Sequence, residues 1–219
     1  MRFLFVMDPV DTILVDEDTS FAIMLEGQKR GHSIDHCLVR DVQLRDGVAF
    51  ASVRSATMSR SAEDPVVLGE LQNVNIADYD GVFIRKDPPF DDEYLWLTLI
   101  LERARDQTFI INDPRGLRDA NEKLYACHFP ELTPTTLVSS SRDAIRAFTE
   151  ELGGKSVIKP VDGHGGAGIF MLRSDDKNFN ACVEAVTLGG KRVAMVQEFL
   201  PGVTKGDKRI WVKIEERLA

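Results

Sequence analysis

Residues 155–173 read KSVIKPVDGHGGAGIFMLR and decide the fold of the second half of the chain. An apolar strand containing Lys159 leads into a glycine-rich loop at 162–168, and the apolar run at 169–173 predicts a second strand. The loop fits the pattern G-x-G-x-x-G, which binds dinucleotides where it follows a strand and opens a helix. Because a strand follows here, we expect a glycine hairpin, and a dinucleotide-dependent oxidoreductase is the least favoured function. No Gly-Lys-Ser/Thr follows, so the loop is not a P-loop.

A glycine hairpin has two interpretations. Glycines at 163, 165 and 166 let the backbone approach phosphate oxygens and direct N–H groups towards them. A mobile surface loop would have the same composition. Lys159, one strand away, can neutralise phosphate charge, although a lysine in such a strand usually lies at an edge or faces solvent. Lys123 is a less specific second candidate, and its alternative is a solvated charge on a helix.

The amino-terminal half predicts a parallel sheet. Residues 2–7 form an apolar strand, residues 18–20 can cap a helix that ends at Gly31, and residues 33–39 predict the next strand. This strand–helix–strand order is typical of a parallel sheet with crossover helices. Further elements are strands at 81–85 and 108–111, a hairpin at 42–53 turning at Asp46-Gly47, a loop at 55–69, and helices at 92–106 and 121–129.

The carboxyl-terminal half predicts a smaller unit. After Thr133-Pro134, strands are expected at 135–138, 156–161, 169–173, 192–200 and 209–214. Helices are expected at 141–152, ended by Gly153-Gly154, and at 179–188.

Composition excludes several classes of protein. The 219 residues carry a net charge of −8, which argues against general nucleic-acid binding. No apolar run approaches the roughly 18 residues that span a membrane, and the apolar amino terminus is too short for a secretory signal. Three widely spaced cysteines make neither a disulfide framework nor a zinc site. A cytoplasmic protein that binds neither membrane nor nucleic acid is expected.

Several segments resemble the bacterial glutathione synthetase family of the ATP-grasp superfamily. The resemblance runs from residue 1 to about 212. Its segments are Met7-Asp8-Pro9, Arg85-Lys86-Asp87-Pro88-Pro89-Phe90, residues 117–124 (LRDANEKL), Asp162-Gly163-His164-Gly165-Gly166 and Gly206-Asp207-Lys208-Arg209. It implies a Rossmann-like parallel-sheet domain at 1–120, an ATP-grasp nucleotide-binding subdomain at 121–202, and the start of a carboxyl-terminal ATP-grasp lobe at 203–219.

The resemblance also implies an activity and its residues. ATP would phosphorylate the cysteinyl carboxylate of γ-glutamylcysteine, and the amine of glycine would attack the acyl phosphate. Arginine suits both carboxylate and phosphate because its planar fork bonds in pairs. Arg85 would hold anionic substrate, with a salt bridge to Asp87 or another acid as its structural alternative. Arg209 would hold substrate or the transferred phosphoryl group as the catalytic candidate. The implied ATP-binding residues are Lys123, Lys159, Gly163, Gly165, Gly166, Gln197, Glu198, Phe199, Leu200 and Asp207.

The chain departs from the family at its end. The family continues into a lobe that carries its Mg²⁺ ligands, and Glu215 and Glu216 are a poor substitute because neighbours in a strand face opposite ways. We therefore expect ATP and Mg²⁺ as the family's cofactors but no metal site in this chain, and very low activity of the chain alone. A truncated, non-catalytic nucleotide-binding protein and a ligase that adds amino acids to a peptide are the alternatives. The family forms oligomers, so a second copy of the chain is a further candidate partner.

Overall fold

The computed structural model describes residues 1–61 and 63–206. The chain divides into two compact units, the first spanning Met1–Tyr125 and the second beginning at Ala126. The domain boundary predicted from the sequence lies between residues 120 and 121. Among the described residues, no helix is long and apolar enough to cross a membrane.

The first unit is built on a mixed sheet of seven strands with α-helices on both faces. The strands are β1 Arg2–Met7, β2 Ser33–Cys37, β3 Val42–Arg45, β4 Val48–Met58, β5 Val66–Asn75, β6 Gly81–Arg85 and β7 Phe109–Ile111. The α-helices are α1 Thr19–Lys29, α2 Asp92–Leu101 and α3 Pro114–Asp119.

Strands β2, β1, β6 and β7 lie side by side in this order and run parallel. Phe5 of β1 is in register with His36 of β2 on one side and Phe83 of β6 on the other. The chain leaves β1 towards β2 and later returns to β1's other side as β6. The strand order therefore reverses between β1 and β6, which is where ligands bind in parallel sheets.

The antiparallel strands β3, β4 and β5 extend this parallel core. The predicted hairpin turn is confirmed, because Asp46 and Gly47 both have positive φ. The predicted loop at 55–69 is wrong, since most of it belongs to β4 and β5. A bulge between Arg54 and Ala56 shifts the register, and a bulge breaks the period-two alternation that identifies a strand.

Strand β4 contributes to two cores, one on each side of this register shift. Before it, Ala51 and Val53 pack with Leu4, Val82 and α2 on one face of the sheet. After it, Ala56 and Met58 pack with Phe5 and α1 on the other face. Residues 51 and 53 differ from residues 56 and 58 by an odd number of positions, so alternation along the strand alone sends the two pairs to opposite faces. The extra residue at the register shift lies in β5, between Leu71 and Leu68.

The helix boundaries follow their caps. The Asp18 side chain accepts from the Phe21 N–H at the start of α1, as predicted. Helix α3 was not predicted, although Asp113 caps it and proline occupies its first position. The predicted helix at 121–129 is wrong. Asn121 Oδ1 accepts from the N–H groups of residues 123 and 124, a local turn that competes with helix formation, and a 3₁₀ turn follows at Tyr125–His128.

The second unit is a four-stranded antiparallel sheet with two helices on one face. Its elements are β8 Thr136–Ser139, α4 Arg142–Glu151, β9 Lys155–Pro160, β10 Phe170–Arg173, α5 Phe179–Thr187 and β11 Ala194–Glu198. The strand order is β10-β9-β11-β8. Ile158, Leu172 and Val196 pack against the helices in one cluster that includes Ile145 and Phe179. The strand predicted at 209–214 lies outside the described residues.

Candidate functional site

The glycine hairpin of the second unit has the predicted topology. Strands β9 and β10 are antiparallel neighbours, with Ile158 in register with Phe170, and the glycine-rich loop joins them. A strand follows the loop, which excludes the strand–loop–helix arrangement of a dinucleotide fingerprint. The loop therefore presents backbone N–H groups from a hairpin tip.

Two features of the loop require glycine. A Cβ at position 163 would lie 2.5 Å from Pro160 Cγ, so a larger residue would displace the loop's first turn. Gly165 and Gly166 have φ values of +57° and +78° and form a left-handed turn that side chains disfavour. The start of the loop is anchored, because Asp162 accepts a 2.8 Å hydrogen bond from Arg192 Nη1. The loop thus has a fixed base and a tip made of backbone.

Lys159 lies on the sheet face that points away from the helices. Its neighbours Ile158 and Pro160 are buried, and alternation along the strand sends Lys159 to the opposite face. Its register partner on β11 is Met195, and the next pair on the same face is Val157 with Gln197. An apolar floor beside one lysine and a glycine hairpin suits a flat, uncharged ring with a phosphate tail.

The segment after β11 borders the same face. Gln197 Nε2 donates to Thr136 Oγ1 at 2.8 Å, and the Glu198 N–H donates to the Thr135 carbonyl at 3.0 Å. The Phe199 ring lies 3.5 Å from Lys155 Nζ, a cation–π contact. Leu200 is half exposed, and within the described chain its N–H donates to no acceptor. These residues offer both an apolar wall and a free backbone donor.

Lys123 belongs to the first unit, in the turn before the 3₁₀ segment. Its side chain is largely buried, and its Nζ lies 2.5 Å from Glu122 Oε1. The alternative of a solvated helix charge is therefore wrong on both counts, since the segment is not an α-helix and the side chain is not solvated. Asp207 and Arg209 lie outside the described residues, so their predicted roles stay predictions.

Arg85 ends strand β6 at the point where the strand order reverses. Its Nε donates to the Ser20 hydroxyl at 2.8 Å. The structural alternative, a salt bridge with Asp87, is wrong, because no described carboxylate lies within ion-pair distance of Arg85. Lys86 instead pairs with Asp8, with 3.1 Å between Nζ and Oδ1, and Asp8 also accepts from the Asp87 N–H at 2.8 Å.

The sequence did not identify Asp8 or Lys86 as site residues. The usable signal was their position directly at the ends of β1 and β6, since carboxyl ends of neighbouring parallel strands meet at one edge. His36, near the end of β2, supports the same edge with Nε2 3.3 Å from the Asp8 carbonyl. Burial lowers the pKa of His36, opposed by that carbonyl and by Asp41.

Comparison with known proteins covers almost the entire chain. The family model described as "Prokaryotic glutathione synthetase, N-terminal domain" matches residues 1–118, and "Prokaryotic glutathione synthetase, ATP-grasp domain" matches residues 122–216. Glutathione synthetases of Vibrio vulnificus (strain CMCP6) and Yersinia pestis are 44% and 43% identical over 208 residues. Each alignment covers 94% of this chain and 65% of the relative.

The fold resembles solved structures of other proteins. A RimK domain protein from Sphaerobacter thermophilus aligns with a TM-score of 0.58 at 18% identity, covering 92% of this chain and 65% of that one. D-cycloserine synthetase DcsG aligns with a TM-score of 0.59 at 15% identity, covering 92% and 60%. The predicted α/β fold class is confirmed. Since a family model matches more than half of its residues, the chain belongs to the prokaryotic glutathione synthetase family.

Proposed function

We propose that this chain is the substrate-binding and nucleotide-binding part of an ATP-dependent ligase that joins γ-glutamylcysteine to glycine. The chain spans about 65% of the length of the curated relatives it matches, so the activity is proposed for the protein and not read from this chain. The proposal rests chiefly on one observation: Lys159 lies on the helix-free face of an antiparallel sheet, in the strand that leads into the glycine hairpin.

The chemistry explains the residue types. A carboxylate resists attack by an amine until one oxygen becomes a phosphate leaving group, and phosphoryl transfer depends on positioning and charge neutralisation. In the proposal, Lys159 and Lys123 contact the nucleotide, and the backbone at Gly163, Gly165 and Gly166 closes over the phosphates.

The purine is assigned to the segment after β11. Met195 and Val157 would form its floor, and Phe199 with Leu200 its wall. The Leu200 N–H, which donates to no described acceptor, suits a ring nitrogen of adenine, because a backbone N–H is a strong hydrogen-bond donor. Gln197 and Glu198 complete this segment, and Asp207 is proposed near the nucleotide.

Substrate binding is assigned to Arg85 and Arg209, with Arg209 also proposed at the transferred phosphoryl group. Mg²⁺ is expected from the family, but residues 1–61 and 63–206 contain no group of three or more His, Cys, Asp or Glu side chains that could hold a metal ion. We therefore assign no metal ligand to them. We place the protein in the cytoplasm, where ATP and reduced thiols are available, and propose self-association.

The test is calorimetric titration of the purified chain with Mg²⁺–ATP. Lys159→Ala should weaken binding roughly 10-fold or more, since a hydrogen bond to a charged group contributes about 1.5–3 kcal/mol. Lys191→Ala, an exposed lysine in the same unit, is the matched control and should bind like the wild type. Equal affinity of wild type and Lys159→Ala would contradict the assignment of the nucleotide to this face.

Turnover is a separate measurement. Formation of ADP that requires both γ-glutamylcysteine and glycine would support the full reaction. Saturable nucleotide binding without such turnover would instead identify a nucleotide-binding protein on the same fold.

A further inference from the structure

Two adjacent basic residues at the end of β6 have different partners in the fold. The Lys86 side chain is 14% exposed, and its ammonium group is paired with the Asp8 carboxylate. The Arg85 guanidinium is partly buried, and the partner of its Nε is the neutral hydroxyl of Ser20. Within the described ranges no acid neutralises Arg85. A partly buried charge without a counter-charge is costly, which points to an anionic ligand as the group that neutralises it.

Ser20 is placed to orient this charge. It lies in the first turn of α1, only 5% exposed, and the Asp18 cap fixes the start of that helix. Its hydroxyl accepts from Nε, the inner nitrogen of the guanidinium. A fork held at Nε keeps both terminal NH₂ groups free and directed together, the arrangement that binds a carboxylate in pairs.

Tyr94 provides an independent observation at the same edge. It lies in the first turn of α2, on the opposite side of the sheet from α1, and is 8% exposed, with its ring stacked on Phe90. Its hydroxyl has no hydrogen-bond partner in the described part of the chain. The hydroxyl oxygen is not among the buried side-chain atoms that lack a partner, so the ring is buried while the hydroxyl stays accessible to a ligand. Burial raises the pKa of Tyr94, and the positive charge of Arg85 opposes this shift.

We propose that Arg85, Ser20 and Tyr94 form a carboxylate subsite at the point where the strand order reverses. Arg85 binds the carboxylate through its terminal NH₂ groups, Tyr94 donates a further hydrogen bond, and Ser20 is a positioning residue that acts through Arg85. The inference rests on the proposed function, because it assigns this subsite to a carboxylate of the dipeptide substrate. The inference goes beyond the proposed function because it names the residues that form the subsite.

Titration of the full chain with γ-glutamylcysteine, glutamate and glutarate tests the proposal. We expect Ser20→Ala and Tyr94→Phe each to weaken binding about 3–10-fold, the effect of one hydrogen bond. Nucleotide affinity should stay unchanged in both variants, which shows that the chain is folded. Ser33→Ala, at the exposed start of β2, and Tyr79→Phe, at the opposite edge of the sheet, are the matched controls and should bind these carboxylates like the wild type.

Hydrogen exchange at the Arg85 side chain distinguishes a lost orientation of Arg85 from a general loosening of the fold. The Arg85 Nε–Hε signal, assigned by its loss in Arg85→Lys, should exchange slowly with solvent in the wild type and faster in Ser20→Ala. Unchanged exchange, or unchanged carboxylate affinity in both variants, would overturn the subsite while leaving the ligase proposal intact. Binding of glutarate but not of γ-glutamylcysteine would support the subsite and refute the proposed substrate. Binding of no carboxylate in the panel would overturn the subsite.

Discussion

The two edges of the first sheet each hold an arginine, and the two arginines have opposite surroundings. At the amino-terminal edge, Arg2 lies 2.7 Å from the Asp35 carboxylate and stacks over the Tyr79 ring. Tyr79 also donates to Asp35 at 2.7 Å, so the network is closed. At the carboxyl-terminal edge, the one side-chain partner of Arg85 among residues 1–61 and 63–206 is the Ser20 hydroxyl.

This difference separates stability from binding. A closed network stabilises the fold because each polar group has its partner within the protein. An arginine without a described counter-charge, such as Arg85, contributes less to stability and is available to bind a ligand. Burial and the neighbouring Asp35 both raise the pKa of Tyr79, so its phenol stays protonated as the donor of the closed edge. The free energies of unfolding of variants at both edges therefore test this difference.

The largest expected effect is at the closed edge. Asp35→Ala leaves Arg2 and the Tyr79 hydroxyl without their acceptor and should lower the free energy of unfolding by about 3 kcal/mol, near the lower end of the range for broken buried pairs because Arg2 is partly exposed. Urea denaturation measures it. Asp16→Ala removes the exposed partner of Arg60 and should cost less than about 1 kcal/mol. Equal losses in the two variants would show that the closed network does not stabilise the fold.

A smaller effect compares one tyrosine from each edge. Tyr79→Phe removes a hydroxyl that donates to a carboxylate, and we expect a loss of about 1–2 kcal/mol in the free energy of unfolding. Tyr94→Phe removes a hydroxyl that has no described partner, and the change should stay within about 0.5 kcal/mol. Both substitutions keep the buried ring, so thermal and urea unfolding compare the hydroxyls directly. A larger loss for Tyr94→Phe would reverse the assignment of the two edges.

The third effect depends on pH. His36 is buried, and its pKa lies below the ordinary value of 6.5. The folded protein therefore binds this proton less tightly than the unfolded chain does, and stability is lost as pH falls from about 6.5 through the lowered pKa. We expect the free energy of unfolding of His36→Gln to fall less between pH 8 and pH 5 than that of the wild type. Parallel pH profiles of the two proteins would show that the pKa of His36 is the same in the folded and the unfolded chain.

Local signals made much of the fold predictable. The apolar run at Arg2–Met7, the cap at Asp18 and the Asp46-Gly47 turn each act within a few residues, and each is present as predicted. The errors arose where tertiary contacts override local pattern. The register shift between β4 and β5 depends on the pairing of these strands, and Gly69 leaves room there for Ser55, because a Cβ at Gly69 would lie 2.3 Å from the serine Oγ.

In the candidate site, too, some neighbours could be predicted from local sequence and others are brought together only by the fold. Lys159 and the glycine loop are neighbours in sequence, so their shared hairpin could be predicted from residue order. Ser20 and Arg85 are separated by 65 positions and meet only because α1 and β6 reach the same edge of the sheet. Nothing in either local sequence indicates that the arginine would be held by a hydroxyl while the next lysine takes the acid.

The smallest expected effect is the loss of Arg85 itself. Arg85→Met keeps an apolar stem and removes one hydrogen bond and a charge without a described counter-charge, so the free energy of unfolding should change by less than about 1 kcal/mol. Arg2→Met is the matched variant at the other edge. It should cost more, because the Asp35 carboxylate would stay buried without its cation. Urea unfolding of both decides the comparison: a loss above about 2 kcal/mol for Arg85→Met would make Arg85 a structural residue, whereas a small loss together with weakened carboxylate binding assigns it to the ligand.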